Sequence, residues 1–176
     1  MRLPWKGKKC KPGSKTRRDR WYCRAGRCRT YRDSRTAYGI QPIKSGKVYI
    51  KGDEVHPKSP IQATKLGIGL VSEDRKKQGL ALDESIALNT VAVSLKKIFP
   101  RFFISNKKIK EIALDYKKQL RIATTSVNKA CKYLSGGNQQ KVVLAKWLSF
   151  DPDILIFDEP TVVLMLQQRW NLWTYG

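Results

Sequence analysis

The chain has 176 residues, enough for one domain with a sizeable core. It carries 36 Lys and Arg against 14 Asp and Glu, a formal net charge of +22. No run approaches the roughly 18 consecutive apolar residues that a spanning helix needs, and the basic N-terminal stretch has no apolar segment behind it, so neither a transmembrane helix nor a secretory signal is predicted. The charge is uneven. Residues 1–38 hold 14 of the basic residues against only Asp19 and Asp33, together with Cys10, Cys23 and Cys28. A basic arm of this kind suits an acidic partner such as nucleic acid or a membrane surface, but its confinement to one end keeps that reading from the rest of the chain. The cysteine spacings are Cys-x12-Cys and Cys-x4-Cys, and His56 is the sole histidine. A closed zinc site would need Cys131 or His56 as its fourth ligand; unpaired, reduced thiols are the simpler expectation.

Taken in chain order, residues 1–38 show no hydrophobic period and are rich in Lys, Arg, Gly, Ser and Pro, which predicts disorder. The character changes at Gly39. Lys47-Val48-Tyr49-Ile50-Lys51, a turn at Gly52-Asp53 and Glu54-Val55-His56 form a hairpin pattern. Ser59-Pro60 through Gly67 reads as a short capped helix, with proline in the first turn and glycine at the end. Ile68–Val71 is a short apolar strand. Residues 84–98 are predicted helical, with Ile86, Asn89, Val93 and Ile98 near one face. Residues 106–120 form an amphipathic helix on Ile109, Ile112, Ala113, Tyr116 and Leu120, whose solvated face carries Lys107, Lys108, Lys110, Lys117 and Lys118. A further helix is predicted over about 137–149. Ile154–Phe157 is then a continuous apolar strand of the kind buried on both faces in parallel sheets. The sum is an α/β domain with a helical insertion at roughly 84–131.

Two motifs carry chemistry. Ser135-Gly136-Gly137 opens a helix with a capping residue and two positions without side chains, so backbone N–H groups are open to a close anion; a capped helix with no ligand explains the same residues. The strand ending in Asp158-Glu159 delivers two carboxylates to the carboxyl edge of a sheet, where ligands gather in open α/β folds. There Asp158 can hold Mg²⁺, directly or through water, and Glu159 can polarise an attacking water; an exposed acidic turn is the bland alternative. The combination is more specific than either part. Leu134-Ser135-Gly136-Gly137-Asn138-Gln139-Gln140-Lys141, a helix, Asp151-Pro152, and Ile154 through Asp158-Glu159-Pro160-Thr161 resemble the ABC ATPase family. The Ser-Gly-Gly-Asn-Gln-Gln-Lys variant is similar to the sugar-importer branch (ribose, galactose, xylose type), in which one polypeptide carries two ATPase domains. Gly67 through Lys76 and Gly79-Leu80 resemble the second of those domains, with Glu73-Asp74-Arg75-Lys76 where other members have the Q-loop.

The resemblance covers about 39–161 and implies a partial P-loop NTPase domain with a helical subdomain, flanked by the basic segment 1–38 and an aberrant tail, 162–176. It implies that Ser135, Gly136, Gly137 and Gln139 form the signature that meets ATP bound by a second ABC ATPase domain. It implies Asp158 as the metal-associated acid for Mg²⁺, Glu159 as the catalytic carboxylate, and Glu73 to about Asn89 as the face toward a membrane permease subunit. The location implied is cytoplasmic, at the inner face of the cell membrane.

The pattern departs from the family at both ends. No Gly-rich phosphate loop with Lys-Ser or Lys-Thr precedes Gly39, and the D-loop and switch histidine are not found after Thr161. The expectation is that both ends are translated out of frame, which the genetic code permits. Read one base later, the codons of Arg17–Arg24 permit Gly-Glu-Ile-(Gly or Asp)-Gly-Ile-Val-Gly, ahead of Ala25-Gly26-Arg27 in the written frame. One base lost at Thr161 lets Val162–Asn171 spell Arg-Gly-Ile-Asp-Val at its start, as the family does. On that reading the chain is inactive alone and the basic arm has no selected function. The alternative is a nucleic-acid-binding protein using 1–38, with steeply salt-dependent binding that is lost when the arm is deleted.

Overall fold

The computed structural model describes residues 21–24, 35–36, 38–42, 48–50, 53–72, 74–101 and 103–157. Its elements are β1 (Trp21–Arg24), β2 (Val48–Ile50), β3 (Asp53–Val55), α1 (Pro60–Lys65), β4 (Ile68–Val71), a π-helical turn at Arg75–Gly79, α2 (Ile86–Val91), α3 (Leu95–Ile98), α4 (Asn106–Leu120), a 3₁₀ turn at Cys131–Tyr133, α5 (Gly136–Phe150) and β5 (Ile154–Phe157).

β5 lies between β1 and β4 and is parallel to both. Leu155, Ile156 and Phe157 are buried, as a strand covered on both faces requires. The register places Arg24, Phe157 and Val71 side by side, so the three strands end together at one carboxyl edge. β1 falls within 1–38, where no regular structure was expected. Its Trp-Tyr-Cys run has strand propensity, and the open side of β5 supplies the partner that local periodicity does not reveal.

The hairpin forms as expected, with Val48 opposite Val55 and Tyr49 opposite Glu54. One detail is corrected: Ile50 pairs with Asp53, so Asp53 belongs to the strand and not to the turn. α1 starts at Ser59, whose hydroxyl accepts the Gln62 N–H at 3.3 Å. It stops at Gly67, whose φ of +77° lies where only glycine is relaxed.

The single helix predicted over 84–98 is two. α2 ends at Val91, and α3 begins at Leu95. Ser94 lies fully buried between them; its hydroxyl donates to Val91 O at 3.1 Å and pairs with the Ser149 hydroxyl at 2.8 Å. A buried hydroxyl has to find partners, and the one on α5 fixes the break. α4 matches its prediction: Ile109, Ala113 and Leu120 are buried, and Lys107, Lys108, Lys110 and Lys118 are exposed.

One core joins the sheet to α5 through Leu70, Val71, Val143, Trp147, Leu155 and Phe157. Trp147 meets Tyr38 and Phe150 edge-on, each at 6.1 Å between ring centroids, a favourable arrangement for aromatic quadrupoles. A second, smaller core inside the helical insertion joins Ala87 and Val91 to Ile109, Ala113 and Val127. α5 ends where Asp151 turns left-handed, at φ +61°, just ahead of Pro152. None of the helices among the described residues is long and apolar enough to cross a membrane.

Candidate functional site

The site is built on the first turn of α5. Ser135 holds the N-cap position in extended backbone, and its carbonyl accepts the Gln139 N–H at 2.9 Å. Its hydroxyl, however, makes no capping bond to the helix backbone. It accepts instead from Asn138 Nδ2 at 2.9 Å. The N–H groups at the start of the helix are therefore not consumed by the cap, and the hydroxyl, whose oxygen is occupied as an acceptor, keeps its own proton to donate outward. Asn138 is itself held, because its Oδ1 accepts the Ala123 N–H at 2.8 Å. Sequence reasoning placed Asn138 in the motif but gave it no role. Its function is to orient Ser135, and only the loop after α4 reveals this.

The two glycines differ. A Cβ at Gly137 would meet nothing within 4 Å, and the residue is exposed. A Cβ at Gly136 would lie 2.6 Å from Arg75 Nη2. Gly136 is thus a glycine that the fold itself uses, whereas the fold leaves Gly137 free for an approaching group. Gln139 does not share the open face. It is 5 % exposed; its Oε1 accepts from Arg75 Nε at 3.2 Å and its Nε2 donates to Cys131 O at 3.1 Å. The structure therefore brings Ser135, Gly136 and Gly137 together and turns Gln139 inward.

The approach to this turn is pinned by backbone bonds. Cys131 N–H donates to Glu84 O at 3.0 Å and Lys132 N–H to Leu82 O at 2.9 Å. The 81–85 loop that receives them is clamped in turn by Asn89. The Asn89 Oδ1 accepts the Ala81 N–H at 2.9 Å, and its Nδ2 donates to Ala81 O, Glu84 O and Ser85 O at 2.8, 3.3 and 3.0 Å. Asn89 is 3 % exposed, so its amide serves the interior. Lys132 and Asp83, both at the surface, pair at 2.8 Å, which holds the Asp83 carboxyl below its ordinary range.

Lys146, two turns further along α5, lies over the Trp147 ring and donates from Nζ to Gly79 O. Burial lowers its pKa to about 8. A lysine with a folded pKa below its unfolded value binds fewer protons folded than unfolded between pH 8 and 10.5, so stability rises with pH through that window. Below it both states are charged, and the desolvation cost, about 3 kcal/mol at most, is fully present. We expect the unfolding free energy of the wild-type chain to gain on that of Lys146→Met by up to this amount between about pH 7 and 10.5 in urea titrations. A pH-independent difference would mean that the ammonium sits in water.

Cys131 is fully buried, and its thiol is pushed up to about 11 by desolvation. It stays protonated and packs as an apolar group. His56 hydrogen-bonds Glu54 at 2.9 Å on the exposed hairpin. Asp158 and Glu159 follow β5 directly in the chain but lie outside the described residues, as do Glu73, Cys10 and Cys28.

A profile of the ABC transporter family matches residues 35–162. Curated relatives include a ribose import ATP-binding protein, RbsA, of Bacillus cereus, 42% identical over 127 residues, which is 72% of this chain and 26% of the relative. Another is a putative ribose/galactose/methyl galactoside import ATP-binding protein of Burkholderia lata, 42% identical over 129 residues, 73% of this chain and 25% of the relative. The chain thus spans about a quarter of the length of these proteins. Among solved structures, the dimeric ATP-binding cassette MJ0796 bound to ADP and Pi superposes with a TM-score of 0.64 at 19% identity, covering 85% of this chain and 67% of that one. CbiO1 of Clostridium perfringens gives a TM-score of 0.55 at 20% identity, covering 81% and 55%; at these identities the likeness is one of fold. The family match, the relatives and the fold agree: the chain belongs to the ABC transporter family and forms part of an ABC ATPase domain of the P-loop NTPase class.

Proposed function

We propose that the chain supplies the signature half of a composite ATP site in a monosaccharide importer. In this reading Ser135, Gly136 and Gly137 receive the terminal phosphate of ATP held by a second ABC ATPase domain. The observation that carries it is the pairing of an uncapped helix start and a Ser135 hydroxyl left free to donate with an open Gly137. Such a turn offers hydrogen-bond donors and the positive end of a 15-residue helix to an anion. ATP is the ligand and Mg²⁺ its companion ion. Asp158 would hold the ion and Glu159 would orient water at the carboxyl edge that β1, β5 and β4 share. Asp74 to Asn89, together with Glu73, would face a permease subunit, which places the protein at the cytoplasmic side of the membrane. The import of ribose-type sugars by the curated relatives supports the substrate class.

The written chain contains no Gly-x4-Gly-Lys-Ser/Thr motif, the sequence that forms a nest of N–H groups with an adjacent lysine around the β- and γ-phosphates. We therefore propose that it turns over no ATP alone and acts only on a partner's. The test mixes the purified chain with an intact sugar-importer ATPase domain. ATP-dependent association is expected, with the chain alone inactive. ATPase activity of the isolated chain that Glu159→Gln abolishes would overturn the proposed inactivity, and absence of any ATP-dependent association would overturn the signature role.

A further inference from the structure

We infer that Arg75 is a positioning residue for the Ser135–Gly137 turn, and that the Arg75–Gly79 turn and α5 form one rigid unit through which the segment beyond β4 sets the geometry of that turn. The phosphate-binding role of the turn is the reading proposed above; the rigid unit is independent of it.

Three contacts on one face of α5 carry the inference. Gln139, Val143 and Lys146 follow each other at intervals of four and three residues, which puts them in line on a helix. At the N-terminal end Arg75 Nε donates to Gln139 Oε1 at 3.2 Å. In the middle, a Cβ at Gly79 would come within 3.1 Å of Val143 Cγ2, so the turn already lies against the helix there. At the far end Lys146 Nζ donates to Gly79 O. The two polar ties are seven residues apart on α5, about 10 Å along its axis, and they hold the two ends of one five-residue turn. A segment tied at two separated points on one helix cannot swing independently of it.

The tie at Gln139 also bears on the site. Gln139 is buried and also donates to Cys131 O, so the Arg75–Gln139 bond locks the 3₁₀ turn, the N-cap and the first helical turn together. The guanidinium occupies the space that a side chain at residue 136 would need. Arginine suits this place because its planar fork keeps Nε on Gln139 while Nη2 lies beside Gly136; lysine offers one charge and no fork. Apolar packing alone would hold the two elements together without fixing their register. Directional bonds at both ends fix it.

The test is amide hydrogen exchange on the intact 176-residue chain. Arg75→Ala is expected to speed exchange at the amides of residues 139–141, the first in α5 with a hydrogen bond to lose, about tenfold, by freeing the first turn of α5 to open locally, with no change in α4. Arg75→Lys is expected not to restore protection. Gln139→Glu keeps an acceptor for the guanidinium but loses the donor to Cys131 O, so it is expected to lose part of the protection when Arg75 is present and more of it when combined with Arg75→Ala. Unchanged exchange in Arg75→Ala, or an equal acceleration in α4, would overturn the inference. The same variants are then titrated against the partner ATPase domain with ATP. If the wild-type chain fails to associate, the proposed function fails while the exchange result still decides on Arg75. If the wild-type chain associates and Arg75→Ala associates equally well, the positioning role fails.

Discussion

Replacing Gly137 with alanine is expected to leave the fold as stable as before, or up to about 1 kcal/mol more stable, because alanine loses less backbone entropy in a helix than glycine and a Cβ there meets nothing within 4 Å. The same change is expected to weaken ATP-dependent association with a partner ATPase domain at least tenfold, since the added methyl group stands where a phosphate would approach the exposed turn. The two measurements, a urea or thermal unfolding curve and an association isotherm, separate fold from function at one residue. Gly136→Ala makes the contrast. Its Cβ must push the Arg75 guanidinium aside, so it is expected to cost stability as well as association. If Gly137→Ala associates like the wild-type chain, the open space above the turn is not where the ligand binds.

The largest expected loss of stability is at Asn89. One buried amide bonds the Ala81 N–H and three carbonyls, those of Ala81, Glu84 and Ser85. Alanine would remove all four bonds and leave the Ala81 N–H without its partner, while the three carbonyls keep the N–H groups of Glu84, Cys131 and Asn89, a cost of about 3 kcal/mol. That is a large share of the total for a domain of this size. Aspartate should be at least as damaging, because its second oxygen would face the three carbonyls and carry a buried charge. The 81–85 loop also receives the backbone bonds from Cys131 and Lys132, so its loosening should reach the Ser135 turn. Chemical denaturation of Asn89→Ala with a loss below about 1 kcal/mol would show that water or backbone rearrangement replaces the clamp.

The Lys146 expectation differs in kind. It concerns a cost the native chain carries at neutral pH, relieved only as pH rises through about 8. That cost accompanies a bond tying the Arg75–Gly79 turn to α5. The same lysine therefore reports by titration on the unit whose rigidity hydrogen exchange would measure at Arg75.

The amino-acid sequence by itself determined the elements whose cause is local. Ser59-Pro60 and Gly67 bound α1 because a cap, a proline and a left-handed glycine act within one turn. The spacing of Ile109, Ala113 and Leu120 suffices for α4 because an amphipathic helix needs only its own periodicity. The apolar run of β5 shows that the strand is buried on both faces. The motif that identifies the family, Leu134–Lys141 with the strand after Pro152, is likewise legible in one reading of the chain. Tertiary structure alone decided the features whose partners are far apart. The break between α2 and α3 depends on Ser149 meeting Ser94 across 55 residues. β1 exists because β5 offers it an edge. Gln139 turns inward because Arg75, 64 residues earlier, takes its oxygen, and Ser135 is freed from capping because Asn138, held by Ala123, takes its place as partner. The physical reason is the same in each case. Apolar periodicity says which face of an element is buried, but a polar side chain has several possible partners, and only the packed chain determines which of them comes within about 3 Å.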